Sequence, residues 1–525
     1  MLIFYFLFKH DILSLIRIEM LRNRLRGSSL LFSRKFINEH EFYLKSDFIN
    51  KMYFYYINRG YITILINEIL SVFISVFTVG FILFLYNCVD YSGIFDIRDD
   101  NRKLSQFIDW REMFKLPWLM WMLVATYFIY IACKIIGIFD HVFMYKKIHD
   151  YYTNVLEIPD WRIKTMKWEE IVSILHEKYR NENLNVYNIA NRITNGDNYM
   201  IALVDHGIID YPVLTNLMEW NFTYCFIHSI FDDESKINIV HLNNLEKTKT
   251  DIGRRIIAVS LLNFIFMPFI LIFILFSNFF EYGATFYNSP SKIASYNWTR
   301  YGKWRIRNYN ELYHNFHERL KNSEKPCIEY TRQFPNKLLD SVLGFLVFTF
   351  SSFFIVLLIL SFVNDNILTN LFIGEKSVLW ILTIMGSLVT VCHNMISHQV
   401  LYYPSEKMEK ISEVINFIPE DWIDNAHTYE TRKKFFKLFE YKILTIFKNI
   451  IYTILVPFQL AILYYRREEI LIFIKKNTKK HSLMGYTCKL AIFDSIDQET
   501  DTKTVLSYDN FKEVHQEWCR SNTFD

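Results

Sequence analysis

Glycine is scarce in this sequence, with 14 residues in 525, against a usual share of about 7%. The two closest, Gly196 and Gly207, stand 11 positions apart. Phosphate-cradling loops, dinucleotide fingerprints and nucleophile elbows need glycines within a few residues of one another, so all three are excluded. No nucleotide or other cofactor is expected. Cysteine is sparse as well: the seven at positions 88, 133, 225, 327, 392, 488 and 519 form no C-x-x-C pair and are odd in number. Neither a disulfide framework nor a zinc site can be read from them. An excess of one charge is also missing. With 58 basic and 55 acidic residues, a net charge of +3 gives no reason to expect a nucleic-acid partner. What the chain has in abundance is apolar and aromatic surface: 51% hydrophobic residues, with 48 Phe and 34 Tyr. That excludes disorder and points to a membrane protein.

Six stretches are free of charge over a length that suits burial in lipid: 69–89, 116–133, 256–280, 341–364, 377–405 and 449–465. The first, at 21 residues, makes about 31 Å of helix, one full crossing. Two of the six are basic on both sides. The stretch 256–280 lies between Lys247, Lys249, Arg254, Arg255 and Lys292, Arg300, Lys303; 449–465 lies between Arg432, Lys433, Lys434 and Arg466, Arg467, Lys475. A crossing has one basic side. Each of these two is therefore expected to enter and leave by the same face, turning at Pro268 and Pro457, where proline interrupts a helix. The alternative for each is a proline-kinked spanning helix. The expected fold is an all-α polytopic membrane protein with four transmembrane helices, two re-entrant membrane hairpins and a mainly helical cytosolic body.

Its order is a cytosolic lead-in at 1–60, a first helix pair at 61–139, a helical region at 140–255, and a hairpin with cytosolic helices at 256–340. A second helix pair at 341–404, helices with the second hairpin at 405–494, and a tail at 495–525 follow. Both termini fall on the cytosolic side, and residues 1–8, interrupted soon after by Lys9 and Asp11, read as an uncleaved amphipathic lead-in. Trp168, Ile171, Val172, Leu175 and Tyr179 predict an amphipathic helix over 166–180. Met408, Ile411 and Ile415 predict another after Ser405 as N-cap, and 489–494 reads as a short strand.

Polar positions within the apolar stretches carry the functional reading. Glu68, Ser71, Ser75 and Thr78 follow steps of three and four, as do Thr383, Ser387, Thr390, Asn394 and Ser397. Such steps keep a stripe on one side of a helix. Helix packing accounts for Ser and Thr; a hydrophilic wall for polar cargo accounts for Glu68 and Asn394 as well. His393 and His398 fit either the membrane surface or a polar path. Arg300, Lys303, Arg305 and Arg307, interleaved with Trp298 and Trp304, read as a surface for lipid headgroups. Glu311 and His314 have the Glu-x-x-His spacing of carboxylate-bridged metal sites, but the second such motif is missing, so no metal is expected.

A set of short segments then resembles the autophagy-related protein 9 family. In chain order they are Asn87-Cys88-Val89-Asp90-Tyr91, Asn198-Tyr199-Met200-Ile201-Ala202-Leu203, Glu219-Trp220-Asn221-Phe222, and Phe279-Phe280-Glu281-Tyr282 with Ser289-Pro290. Asn310-Glu311-Leu312-Tyr313-His314 follows, then Ile418-Pro419-Glu420-Asp421-Trp422, Val456-Pro457, Gly485-Tyr486-Thr487-Cys488 and Ala491-Ile492-Phe493-Asp494. The resemblance implies a domain-swapped homotrimer that scrambles phospholipids between leaflets without ATP. It implies vesicles of Golgi origin, the preautophagosomal membrane and the endoplasmic reticulum as locations. As partners it implies membrane phospholipids and the lipid-transfer protein autophagy-related protein 2. The 31 residues after Asp494 are short beside the polar tails common in the family, so tail-borne regulation is not expected, and Tyr287 and Asn288 offer no charged gate before Ser289. On this reading Glu68, Ser71, Ser75, Thr78, Thr383, Ser387, Thr390 and Asn394 line a lipid path. Arg300, Lys303, Arg305 and Arg307 form its cytosolic mouth. A membrane scaffold without transport, and an ion channel or secondary transporter, are the alternatives.

Overall fold

The computed structural model describes residues 46–95, 104–179, 184–210, 214–231, 237–288, 295–334, 337–363, 372–373, 376–396, 402–416, 418–494 and 501–516. The expectations for residues 1–45, for Ser289-Pro290 and for Ser397 and His398 lie outside the described residues, as do the side chains of Tyr287 and Asn288. The chain divides into two compact units, residues 1–182 and 183–525.

In the first unit, α1 (Ser46–Ile57) leads through Gly60 into α2 (Tyr61–Leu83), which closes in a wider turn at Phe84–Cys88. Gly60 sits at φ 118°, a backbone that side chains disfavour, with the Asp160 carboxylate 3.0 Å from where a Cβ would stand. That carboxylate accepts from the Tyr61 amide (3.3 Å) and the Tyr55 hydroxyl (2.5 Å), so it caps the membrane helix from a distant segment. α3 (Trp118–Asp150) returns alongside α2, and α4 (Trp168–Lys178) buries Trp168, Ile171, Val172 and Leu175, the face its spacing predicts. Trp168 packs edge-on to Tyr53 at 5.0 Å, and Tyr55 stacks on Tyr152 at 5.1 Å, giving α1, α3 and α4 an aromatic core.

In the second unit the body is built from α5 (Val186–Asp205), α6 (Asn216–Phe222), α8 (Arg300–Ile306), α9 (Tyr313–Arg332), α12 (Pro404–Val414) and α13 (Tyr429–Leu438). Strand β1 (Tyr296–Trp298) pairs antiparallel with β4 (Phe439–Tyr441), Trp298 opposite Phe439. Gly302 lies so close to this junction that a Cβ would stand 2.3 Å from the Leu438 carbonyl oxygen, so only glycine lets α8 pass. Trp298, Phe316, Tyr330, Met408, Ile411 and Phe435 fill the core beneath. α12 starts at Pro404 with Tyr403 as its cap, two residues ahead of the expected cap Ser405. The expected strand at 489–494 follows the hairpin of β5 (Thr478–His481) and β6 (Gly485–Cys488) and is instead a 3₁₀ turn at Lys489–Ala491, because side chains take up its backbone groups: the Ala491 carbonyl accepts from Tyr187 and Asn310, and the Phe493 amide donates to Tyr187.

Among the described residues, four helices are long and apolar enough to cross a membrane: Tyr61–Cys88, α10 (Lys337–Val363), α11 (Val378–Met395) and α14 (Lys442–Lys476). α10 and α11 are joined through the short pair β2 (Phe372–Ile373) and β3 (Lys376–Ser377), with Gly386 against the Phe354 ring. α3 contains the charge-free stretch 116–133 as far as its own start allows, and several of its side chains lie outside the described residues. The hairpins expected to turn at Pro268 and Pro457 take another form. α7 (Leu245–Asn288) and α14 each run as one helix through their proline. Proline deletes one amide donor and crowds one carbonyl, which bends a long helix without ending it when neighbours support the break. Here Pro457 is buried, and its carbonyl accepts the Ser260 hydroxyl of α7 at 3.2 Å. The two helices run antiparallel, with Lys249 paired to Glu468 at 2.6 Å. A third of the apolar window of α14 is buried (33%), against 6% for each of the other three, so protein rather than lipid covers much of it.

Candidate functional site

The two polar stripes meet different surroundings. On α2 the stripe turns toward α3. Glu68 Oε1 lies 3.0 Å from His141 Nδ1, and both side chains are largely buried. Two turns further on, Lys134 of α3, only 5% exposed, donates to the Ser75 hydroxyl at 3.3 Å, and the Tyr127 hydroxyl donates to the Ser75 carbonyl at 3.2 Å. Thr78 bonds back to the Ile74 carbonyl, and the Ser71 hydroxyl is buried with no hydrogen-bond partner. Glu68, Ser71 and Ser75 thus form a polar seam between two helices. Lys134 and His141, which supply its cations, were not singled out by spacing; a seven-residue step from Lys134 to His141, matching Glu68 to Ser75, was the available signal.

On α11 the stripe faces the other way. Val378 and Leu382 are the buried positions of this helix, while Thr383 and Asn394 are exposed and Ser387 and Thr390 half-exposed. The Thr383 and Thr390 hydroxyls donate to the Leu379 (2.9 Å) and Gly386 (2.8 Å) carbonyls, and Asn394 Nδ2 to the Thr390 carbonyl (2.7 Å). Their donors are satisfied inside the helix, while the outward lone pairs remain available to water or a cationic group. His393 is exposed near the end of the same helix.

The expected headgroup mouth is not an open cationic surface. Arg300 pairs with Glu219 of α6 (3.1 Å), Arg305 with Asp205 (2.7 Å) and Arg307 with Asp197 (2.9 Å), both of α5. Arg307 is buried, its guanidinium over the Trp304 and Phe316 rings, and Lys303 is half-buried. Three of the four cations tie α8 and the residue after it to α5 and α6, and a local reading misses their acidic partners, Glu219, Asp205 and Asp197, because these lie far upstream in sequence. Glu311 is likewise engaged, by Arg319 at 2.6 Å and 2.8 Å.

A further cluster emerges where the family-like segments meet. Asn310, at φ 58°, receives the Asn191 and Asn198 amides on its Oδ1 at 2.9 Å and 3.0 Å. Its own Nδ2 donates to the Ala491 carbonyl at 2.8 Å, and its backbone amide to Asn198 Oδ1 at 3.0 Å. Thr487 donates to Asn191 Oδ1 at 2.8 Å, and Tyr187 joins Ala491 to Phe493. Segments around 198, 310, 487 and 491 are thereby joined through buried amides at one point. The Cys488 thiol beside them is fully buried, and burial pushes its pKa up to about 12. Asn191, Asn195 and Asn198 at steps of four and three were the visible sign of this polar face.

Spanning-length helices with exposed apolar flanks, a helical body and polar stripes in the bilayer zone define a polytopic α-helical membrane protein. Residues 46–494 match the profile described as Autophagy protein ATG9, and the chain belongs to that family. It is 28% identical over 513 residues to "Autophagy-related protein 9" of Dictyostelium discoideum, covering 90% of this chain and 73% of that protein. It is 27% identical over 489 residues to the protein of the same name in Kluyveromyces lactis, covering 87% of this chain and 53% of that one. The chain spans about half the length of the fungal relatives it matches. The cryo-EM structure of Schizosaccharomyces pombe Atg9 shares its fold, with TM-score 0.64 at 23% identity over 86% of this chain and 98% of that one. Family membership implies a role in autophagy.

Proposed function

We propose that this chain is an ATP-independent phospholipid scramblase acting as autophagosome membranes form and expand. The observation that carries the reading is the open polar face of α11: Thr383, Ser387, Thr390 and Asn394 lie in a helix otherwise fit for lipid. Moving a charged headgroup through hydrocarbon costs several kcal/mol or more without compensation. A wall of outward lone pairs and water lowers that cost while acyl chains stay in lipid. Exchange then runs down its own gradient, so it needs no nucleotide.

In this reading α7 and α14 dip into the membrane from the cytosolic face, bending at Pro268 and Pro457. Both ends of α14 support this: it leaves β4, beside α8 and α13, and enters β5, whose partner strand packs on α5; α8 packs on α5 and α13 alike. A homotrimer, delivery on Golgi-derived vesicles to the preautophagosomal membrane, and lipid supply from autophagy-related protein 2 belong to the same proposal. Replacing Ser387, Thr390 and Asn394 by Leu in protein reconstituted into liposomes is expected to lower exchange of fluorescent lipid by about tenfold. Unchanged exchange by a variant of normal assembly would remove α11 from the path.

The seam of Glu68, His141, Ser75 and Lys134 favours one second reading, ion conductance along the first helix pair, since ionisable groups at membrane depth mark ion pathways. Ion flux without lipid exchange would select it.

A further inference from the structure

The family match ends at residue 494, yet residues 501–516 are structured. The last helix, α15 (Thr502–Val514), carries Lys503, Ser507 and Phe511 four residues apart, and His515 follows at the same step. Steps of four keep all of them on one face. Each meets the body. Lys503 Nζ donates to the Arg305 carbonyl at 2.8 Å and lies 3.5 Å from Asp205 Oδ1, fully enclosed. The Ser507 hydroxyl accepts the Tyr309 amide at 3.1 Å. The Phe511 ring lies 6.0 Å from that of Tyr187 and 5.9 Å from that of Phe493, with His515 against it at 4.4 Å. Thr504 adds a bond to the Leu490 carbonyl at 2.9 Å.

These partners of α15 lie inside the matched region, on α5, the segment 305–309 and the segment 490–493. We propose that these segments form a helix-recognition groove whose ligand is an amphipathic helix with a lysine, a serine and an aromatic residue at four-residue spacing, filled in this chain by its own residues 501–516. The lysine gives specificity. Asp205 already pairs with Arg305, and a carboxylate placed where Lys503 stands would be buried against the like charge of Asp205 and the acceptor oxygen of the Arg305 carbonyl. The groove also lies at both ends of α14. Segment 305–309 follows β1 and α8, beside β4; segment 490–493 follows β6, beside β5. A helix seated there ties the two together, so occupancy bears on the membrane-embedded helix without touching it.

The test uses the full chain with a protease recognition sequence inserted between Gln498 and Glu499. After cleavage, residues 499–525 are expected to co-elute with the body and to be displaced by an excess of synthetic peptide 499–516. Peptides carrying Lys503→Glu or Phe511→Ala are expected to displace it at least about tenfold less well. Release of the fragment on cleavage alone, failure of the unaltered peptide to displace it, or equal competition by the Lys503→Glu peptide would overturn the proposal.

Discussion

Asn310 concentrates several constraints in one side chain. It holds a positive φ, which asparagine tolerates better than most residues, and it joins α5 to the 491 segment through both ends of its amide. Asn310→Ala is expected to destabilise by about 2–4 kcal/mol, with Asn310→Gly less harmful because it keeps the backbone while losing the bonds. Thermal unfolding of the detergent-purified protein reads both. Cys488, whose thiol burial raises to about 12, is expected to resist alkylation in the folded chain and to react once it is denatured, as peptide mass mapping would show. Sequence made the stripe positions legible but not their facing. Steps of three and four say that Glu68 and Ser75 share a side of α2; only the position of Lys134 and His141 says that this side is a seam. The cationic run at 300–307 was legible as charge, while its partners Asp197, Asp205 and Glu219 are set by the tertiary fold.

At the scale of elements, local pattern was read best where one face is buried, as in α4, and worst where proline intervened. Pro457 signalled a break because the helix loses its bond to the Thr453 carbonyl there, but the proline is buried, with Ser260 of α7 bonded to its own carbonyl, and the helix continues. If the bend it leaves is what returns α14 to the cytosolic side, Pro457→Ala is expected to preserve or raise thermal stability while lowering lipid exchange several-fold. Exchange at the level of the unaltered protein would detach the proline from the activity. For α15 the docked state should depend on alkaline pH. Burial lowers the Lys503 pKa from 10.5 to about 8, with Asp205 opposing and Arg305 adding to the shift, and Asp501 also opposing; the Tyr309 ring faces its ammonium at 5.9 Å. Between pH 8 and 10.5 the undocked lysine therefore binds more protons than the docked one. Docking is expected to strengthen as pH rises through that window and to be insensitive to Lys503 below it. Peptide displacement from the cleaved chain at pH 7.5, 9 and 10 would show it, provided Lys503→Met removes the dependence.

At the scale of the whole molecule, composition alone pointed to a membrane protein, because apolar content is a global property that survives any folding detail. Among the described residues, three of the four spanning-length helices, 61–88, 337–363 and 378–395, coincide with stretches read as crossings, while the fourth, 442–476, contains a stretch read as a re-entrant hairpin. The body was far less legible. Its centre is a set of asparagines from α5 and the 310 turn bonded to Thr487 and the Ala491 carbonyl, which come together only through contacts across about three hundred residues. Family resemblance flagged those segments without saying that they touch. Passive lipid exchange is decided by reconstituting the purified chain into nucleotide-free liposomes holding fluorescent phospholipid in both leaflets and adding a membrane-impermeant quencher. Quenching is expected to extend beyond the outer leaflet to the inner one in vesicles that remain sealed. Quenching confined to the outer leaflet, as in protein-free vesicles, would contradict it.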